Sequence, residues 1–341
     1  MLRFFRLLRK KLLEDLKLFK YLLYALGEIV LVIIGILIAV NINNANEGRK
    51  QERKIRGTLA QTENEVRDAI NNGAIALRFC LRTDSLARVV LTKNPTFQDY
   101  KSSRDMALLL QRRGAFTIEN DSYQNLVELS AGMPEKYEKV LDRLNNLYMG
   151  HWPFVEKGLE KFNNKMERQL AKLLDTEKWA GDFMQQKVTD DAIEYMLNDF
   201  RYKNMVSGKL NSVGSDISLY TLNFRLIALE CHEEIERLLG PSNESFPSSS
   251  PVRINPEEYS EWVGKYALGD LVLEIEASDS SLHLTNNFQE SEKPEKFYPI
   301  GKNAFHTETF LGRILLTGDS TKRGLYVPNG LEEFFFQKRY D

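Results

Sequence analysis

A chain of 341 residues is long enough for two or more compact units, and its formal net charge of -2 with 43% apolar residues describes a folded protein. That near-neutral balance excludes an electrostatic nucleic-acid binder, because a phosphate footprint needs a concentrated basic surface. The two cysteines, Cys80 and Cys231, stand far apart with no CxxC and no Cys/His cluster, which argues against structural zinc and thioredoxin-type redox chemistry.

Residues 1–20 hold most of the local basic charge, at Arg3, Arg6, Arg9, Lys10, Lys11, Lys17 and Lys20, opposed only by Glu14 and Asp15. Beside an apolar run, such a stretch reads as a basic amphipathic segment on the cytoplasmic, lipid-facing side. Residues 21–40 follow as YLLYALGEIVLVIIGILIAV, with Glu28 as the single charge. At about 1.5 Å per residue this run covers roughly 30 Å, the thickness of a hydrocarbon core, so residues 21–42 are expected as a transmembrane helix. A cleaved signal peptide fits less well, since the run passes into Asn41, Asn43, Asn44 and Asn46 and then a charged helical stretch. A buried core helix fits less well too, given the apolar perimeter and basic flanks. Arg49, Lys50, Arg53, Lys54 and Arg56 follow the span. The larger basic excess before it points to a single pass through the cell inner membrane, N-terminus cytoplasmic and the remainder extracytoplasmic.

At about 100° per residue, Glu28, Gly35, Ala39 and Asn46 share one helix face. A small-xxx-small pair at Gly35 and Ala39 permits close helix approach, so this face is expected to pack helices in the membrane. The partners expected are the lipid bilayer and either a second copy or another membrane helix. The competing reading, an ion or proton path through Glu28, lacks a charged companion within the span.

Residues 43–239 show helical periodicity and are expected as an antiparallel helical bundle. Pro95 ends the helix that continues from the membrane. A second helix is expected over 97–113, and a third from Asn120 or Asp121 to Leu129, closed by Ala131-Gly132. Pro134 opens a fourth, running to Asp175 with a kink or break at Pro153; helices over 189–202 and 216–239 complete the set. The segment GPSNESFPSSSP marks a Pro/Ser linker at 240–252. Beyond it, residues 253–341 form the β-domain: Leu271, Leu273 and Ile275 alternate with Val272, Glu274 and Glu276, then Leu282 and Leu284 follow an Asp279-Ser280 turn. Further strands are expected at 313–317, 324–327 and 332–338, with Pro328-Asn329-Gly330 as a hairpin turn. The fold class is therefore α+β, ending in a small antiparallel curled sheet or barrel.

The start MLRFFRLLRKKLL, the span KYLLYALGEIVLVIIGILIAV and the following NINNANE resemble a bacterial family known as domain of unknown function 6090. The order Tyr24-x-x-Gly27-Glu28-Ile29, Gly35 within the apolar run, and Ile42-Asn43-Asn44-x-Asn46-Glu47 carries the resemblance. Ala45 departs from it, where family members usually carry Trp. The stretch FTIENDSYQNLVELSAGM at 116–133 extends it into the helical region. The resemblance implies a membrane anchor and a helical domain and brings no activity. The tail, with Tyr259-x-x-Trp262-Val263-Gly264-x-Tyr266 and a closing Phe-rich strand, is similar to the small β-domain that follows serine β-lactamase-like hydrolases. Their catalytic S-x-x-K has no counterpart, since Ser85 and Ser207 are followed three positions on by Arg88 and Leu210.

The histidines are His151, His232, His283 and His306. His232 sits in CHEEIE, where a metalloprotease helix would place a second histidine at the position of Glu236. A His/Glu pair at this spacing could bind a metal, but a solvated helix face is expected instead. His283 is expected on the outer face of its strand. No G-x-S-x-G elbow, phosphate loop or dinucleotide fingerprint occurs. Trp152, Phe154, Trp179, Tyr298, Phe334 and Phe336 are expected to fill cores. No catalytic residue, cofactor or metal ligand is expected. The leading expectation is a non-enzymatic scaffolding, sensing or ligand-binding envelope protein. The alternatives are an enzyme or hydrolase accessory with a site in the helical or β-domain, and an oligomeric ion-conducting assembly using Glu28.

Overall fold

A computed structural model describes residues 16–241, 246, 255–278, 281–287, 294–301, 303–307, 313–318, 322–329 and 332–340. The basic segment at 1–15, most of the Pro/Ser linker and the Asp279-Ser280 turn lie outside these residues. The described residues form two units, 16–57 with 132–134, and 58–131 with those from 135 onward. Helix α1 (Leu16–Thr92) contributes to both units.

In the first unit, α1 carries the apolar run with Gly27, Gly35 and Gly48 in helical geometry and no proline to interrupt it. Farther along, the Gln51 side-chain amide donates to the Gly132 carbonyl at 3.1 Å, where Gly132 adopts φ +77.

The second unit holds a helical layer and a sheet. From Leu59 onward α1 buries Val66, Ile70, Leu77, Ala87 and Val90, and it ends before Pro95 as the sequence predicts. The single helix expected over 97–113 is instead broken into α2 (Phe97–Ser102), α3 (Arg104–Ala107) and a 3-10 turn, Leu109–Gln111. The Ser103 hydroxyl is the cause: it accepts from the Met106 amide and caps α3, a role serine fills better than a helix interior. Helix α4 (Asp121–Glu128) lies where expected, and Asn120 precedes it without making a side-chain cap. The carboxylate of Glu65, from α1, accepts from the amides of Ser122 at 2.7 Å and Tyr123 at 3.3 Å instead.

The fourth expected helix becomes a 3-10 turn (Glu135–Tyr137), α5 (Glu138–Asn145), a π-helical turn (Asn146–His151) and α6 (Trp152–Thr176). Pro153 sits in the first turn of α6, so the π turn absorbs it without a break. A short α7 (Ala180–Met184), which the periodicity did not suggest, follows. Thr189 caps α8 (Asp190–Asn198), and the helix expected to reach Tyr202 ends early because Asp199 caps α9 (Phe200–Ser212). A second π turn (Val213–Ser218) leads into α10 (Leu219–Leu239), closed by Gly240 at φ +96. A Cβ on Gly158 of α6 would lie 1.9 Å from the Asp216 carbonyl oxygen, so only glycine allows α6 to meet this π turn so closely.

A 3-10 turn (Pro256–Trp262) opens the β-domain. The strands are β1 (Gly264–Leu268), β2 (Leu271–Ser278), β3 (Ser281–Asn286), β4 (Glu295–Lys296), β5 (Tyr298–Gly301), β6 (Ala304–His306), β7 (Arg313–Gly318), β8 (Arg323–Asn329) and β9 (Glu332–Lys338). All pairings are antiparallel, in the order β4-β3-β2-β1-β9-β8-β7-β6-β5. Phe297 alone separates the two outermost strands, so the sheet curls into a nearly closed barrel. Leu273, Ile275, Leu282, Leu284, Phe305, Ile314, Leu325 and Phe336 fill it. Leu271, at the strand's first position, stays 39% exposed against the expected alternation. Pro328 and Asn329 of the expected turn instead extend β8 and pair with Glu333 and Glu332, and Gly330 lies outside the described residues. The sheet rests on the helices: Arg78 donates to the Ile300 carbonyl at 3.0 Å, and Leu77, Leu222 and Ile300 bury together. Cys80 and Cys231 are both buried, and burial pushes the Cys231 thiol up to about 12.

Candidate functional site

Three regions carry chemistry or exposed apolar surface. The first is the N-terminal part of α1, the one helix among the described residues long and apolar enough to cross a membrane. Its apolar residues face outward on all sides, from Leu26 and Ile29 through Leu31 at 74% exposure to Leu37 and Ile42. Glu28, Gly35, Ala39 and Asn46 are exposed with them, and a Cβ built on Gly35 would meet nothing within 4 Å beyond its own stretch of helix. The expected packing face is therefore open along the helix.

The second region corrects the reading of His232 as a solvated residue. His232 is 3% exposed, because α10 packs that face against the layer containing α1. Its Nδ1 lies 3.7 Å from Oε1 of Glu63, and its Nε2 lies 3.7 Å from Oε1 of Glu236. One ligand atom from each of Glu63, His232 and Glu236 falls within 4.8 Å of the other two. The ring of Phe246 meets His232 edge-on at 5.1 Å between centroids, and the Arg67 guanidinium sits 4.8 Å from the Phe246 centroid. His232 and Glu236 could be found in sequence from their i, i+4 spacing on one helix. Glu63 could not, since only the tertiary fold brings α1 to α10.

The third region lies between the helices and the sheet. His306 of β6 is fully buried, stacks on Tyr298 at 5.3 Å, and stands near the buried Arg225 of α10. Burial, with Arg225 adding to it, holds the His306 imidazole well below its usual pKa and therefore neutral. Arg225 donates to the Ile70 carbonyl at 3.2 Å.

Among the described residues, the remaining histidines join no group of metal-ligating side chains. His151 is half-buried in the first π turn, with its pKa lowered by burial. His283 is half-buried, and its Nε2 lies 2.9 Å from the Ser281 hydroxyl and 3.3 Å from that of Ser278. Of the aromatics, Trp179 and Phe336 are core residues, Trp152, Tyr298 and Phe334 are half-buried, and Phe154 is an exception at 56% exposure. Phe154 stacks on Tyr220 at 5.9 Å instead.

Residues 28–99 fit a family model described as "Family of unknown function (DUF6090)", which supports the resemblance read from Glu28 to Glu47, while the basic start and the stretch at 116–133 lie outside the matched residues. No curated protein and no solved structure matches the chain, so the likeness of the tail to the β-domain of hydrolases gains no support.

Proposed function

We propose, from the family match and the exposed apolar stretch of α1, that this chain is a single-pass protein of the cell inner membrane with a non-enzymatic scaffolding, sensing or ligand-capturing role. The N-terminus is cytoplasmic and the helical and β regions are extracytoplasmic. The observation that supports this best is the outward-facing apolar perimeter of α1. Each of Ile29, Leu31, Ile34, Leu37 and Ile38 is at least half exposed, and covering a side chain of this size is worth about 1.5–3 kcal/mol. A bilayer covers all of them at once, and the backbone of a helix needs nothing further from lipid.

Within the membrane, Glu28, Gly35, Ala39 and Asn46 form the face for a second copy of the helix. Small side chains at Gly35 and Ala39 let two backbones approach, and Asn46 and Glu28 supply polar contacts at either end. The anchor is tested by alkaline carbonate extraction of membranes, with reporter fusions placed before residue 16 and after residue 340. Retention in the pellet with opposite reporter signals is expected. Release into the supernatant overturns the anchor, and an inverted reporter pattern overturns the orientation.

A further inference from the structure

We propose that Glu63, His232 and Glu236 bind a first-row divalent transition ion, with zinc the best match. This site is independent of the membrane reading. Three features carry it. The side chains converge from two helices far apart in sequence, with their ligand atoms all within 4.8 Å of one another. His232 and Glu236 lie one helical turn apart, the spacing at which two side chains of one helix reach a common ion. The group is shielded: the side chains of His232 and Glu63 are 4% and 10% exposed, while Glu236 at 14% forms the edge nearest solvent.

The donor set selects the ion. Two carboxylates and one imidazole offer oxygens and a nitrogen, and that nitrogen is a donor that a hard ion such as magnesium or calcium uses poorly. Zinc accepts this mixture, and three protein ligands leave a fourth position for water on the Glu236 side. A tetrahedral zinc with bonds of about 2.0–2.1 Å holds its ligand atoms roughly 3.3 Å apart. The two 3.7 Å contacts involve different ring nitrogens, and an ion takes only one of them, so one carboxylate must swing toward the binding nitrogen from a starting arrangement with all three ligand atoms within 4.8 Å of one another. Phe246, edge-on to the imidazole, limits the ring's freedom to turn away.

The test uses the full chain in detergent, purified on a histidine-free tag and stripped with chelator, with zinc alone as the probe in competition against a chromogenic chelator. One tightly held ion per chain is expected, together with a higher thermal unfolding midpoint in zinc. His232→Ala should weaken the affinity by at least about tenfold and abolish the thermal shift. Failure of the wild-type chain to take up one equivalent overturns the site. So does undiminished affinity in His232→Ala, which would move the metal elsewhere. If His232→Ala does not fold, Glu236→Gln at the exposed edge decides by the same criterion: weaker binding supports the site and unchanged binding overturns it.

Discussion

Lys209 offers the sharpest check on the packing of the helical layer. It is fully buried on α9, where its Nζ donates to the Arg112 carbonyl at 2.6 Å and lies 4.9 Å from the Phe162 ring centroid. Burial, reinforced by Arg113 and Arg112, lowers its pKa from 10.5 to about 7. The unfolded chain therefore holds one more proton than the folded chain at every pH between those values. Folding stability rises with pH across that window: the penalty is absent above the unfolded value and complete below the folded one. Between pH 7 and pH 9 the gain is about 2 kcal/mol, since each unit of pKa difference is worth about 1.4 kcal/mol. Lys209→Met removes this dependence. It also strands the Arg112 carbonyl, a loss of about 1–3 kcal/mol that does not vary with pH. The diagnostic quantity is thus the slope and not the offset. Thermal unfolding followed by circular dichroism in detergent at pH 7, 8 and 9 should show the wild-type midpoint rising by about 4–8 °C relative to that of the variant. Parallel pH profiles for the two proteins would refute the burial argument.

Three further outcomes are expected. Gly158→Ala forces a Cβ against the Asp216 carbonyl and should lower stability by about 2–4 kcal/mol; a denaturant midpoint close to wild type would show that the approach is not tight. Glu65→Gln weakens the remote cap of α4 and should cost about 1 kcal/mol, with faster hydrogen exchange at the Ser122 and Tyr123 amides, whereas Asn120→Ala should leave both quantities unchanged. Gly35→Ile should shift detergent-solubilised protein toward monomer in analytical ultracentrifugation, and an unchanged distribution counts against self-association through the Glu28 face.

What could be read in advance follows the range of the interactions involved. The apolar stretch of α1 is legible because its signal is purely local, a run of residues of one kind. The helix boundaries near Thr189 and Gly240 are legible because each is set by a residue next to its own helix. Alternation places Leu273, Ile275, Leu282 and Leu284 inside the barrel, because strand geometry sends alternate side chains to one face. Ser103 and Asp199 cut expected helices short, since a capping side chain can outcompete helical continuation even where apolar periodicity persists. The π turns at Asn146–His151 and Val213–Ser218 were not legible, because one extra residue per turn leaves no compositional mark. Glu65 and Glu63 were out of reach for a different reason. Each acts on a segment far along the chain, and nothing around position 63 or 65 distinguishes it from the other acids on a charged helix. The same limit explains His232, whose exposed reading rested on charged neighbours that line one side of α10 only.

The single residue between β4 and β5 has a consequence for how the β-domain comes into being. In an open sheet each hairpin can settle as it is made, and a missing last strand leaves a smaller sheet behind. Here β9 lies between β1 and β8, so the first strand of the domain waits for the last to supply its neighbour. Until β9 has been synthesised, β1 and β8 both present bare hydrogen-bonding edges, and the apolar side chains inside are covered on one flank only. Completion is therefore late, and it depends on contacts distant in sequence. A ribosome that stalls before Glu332 releases not a shortened barrel but an opened one, with two adhesive edges.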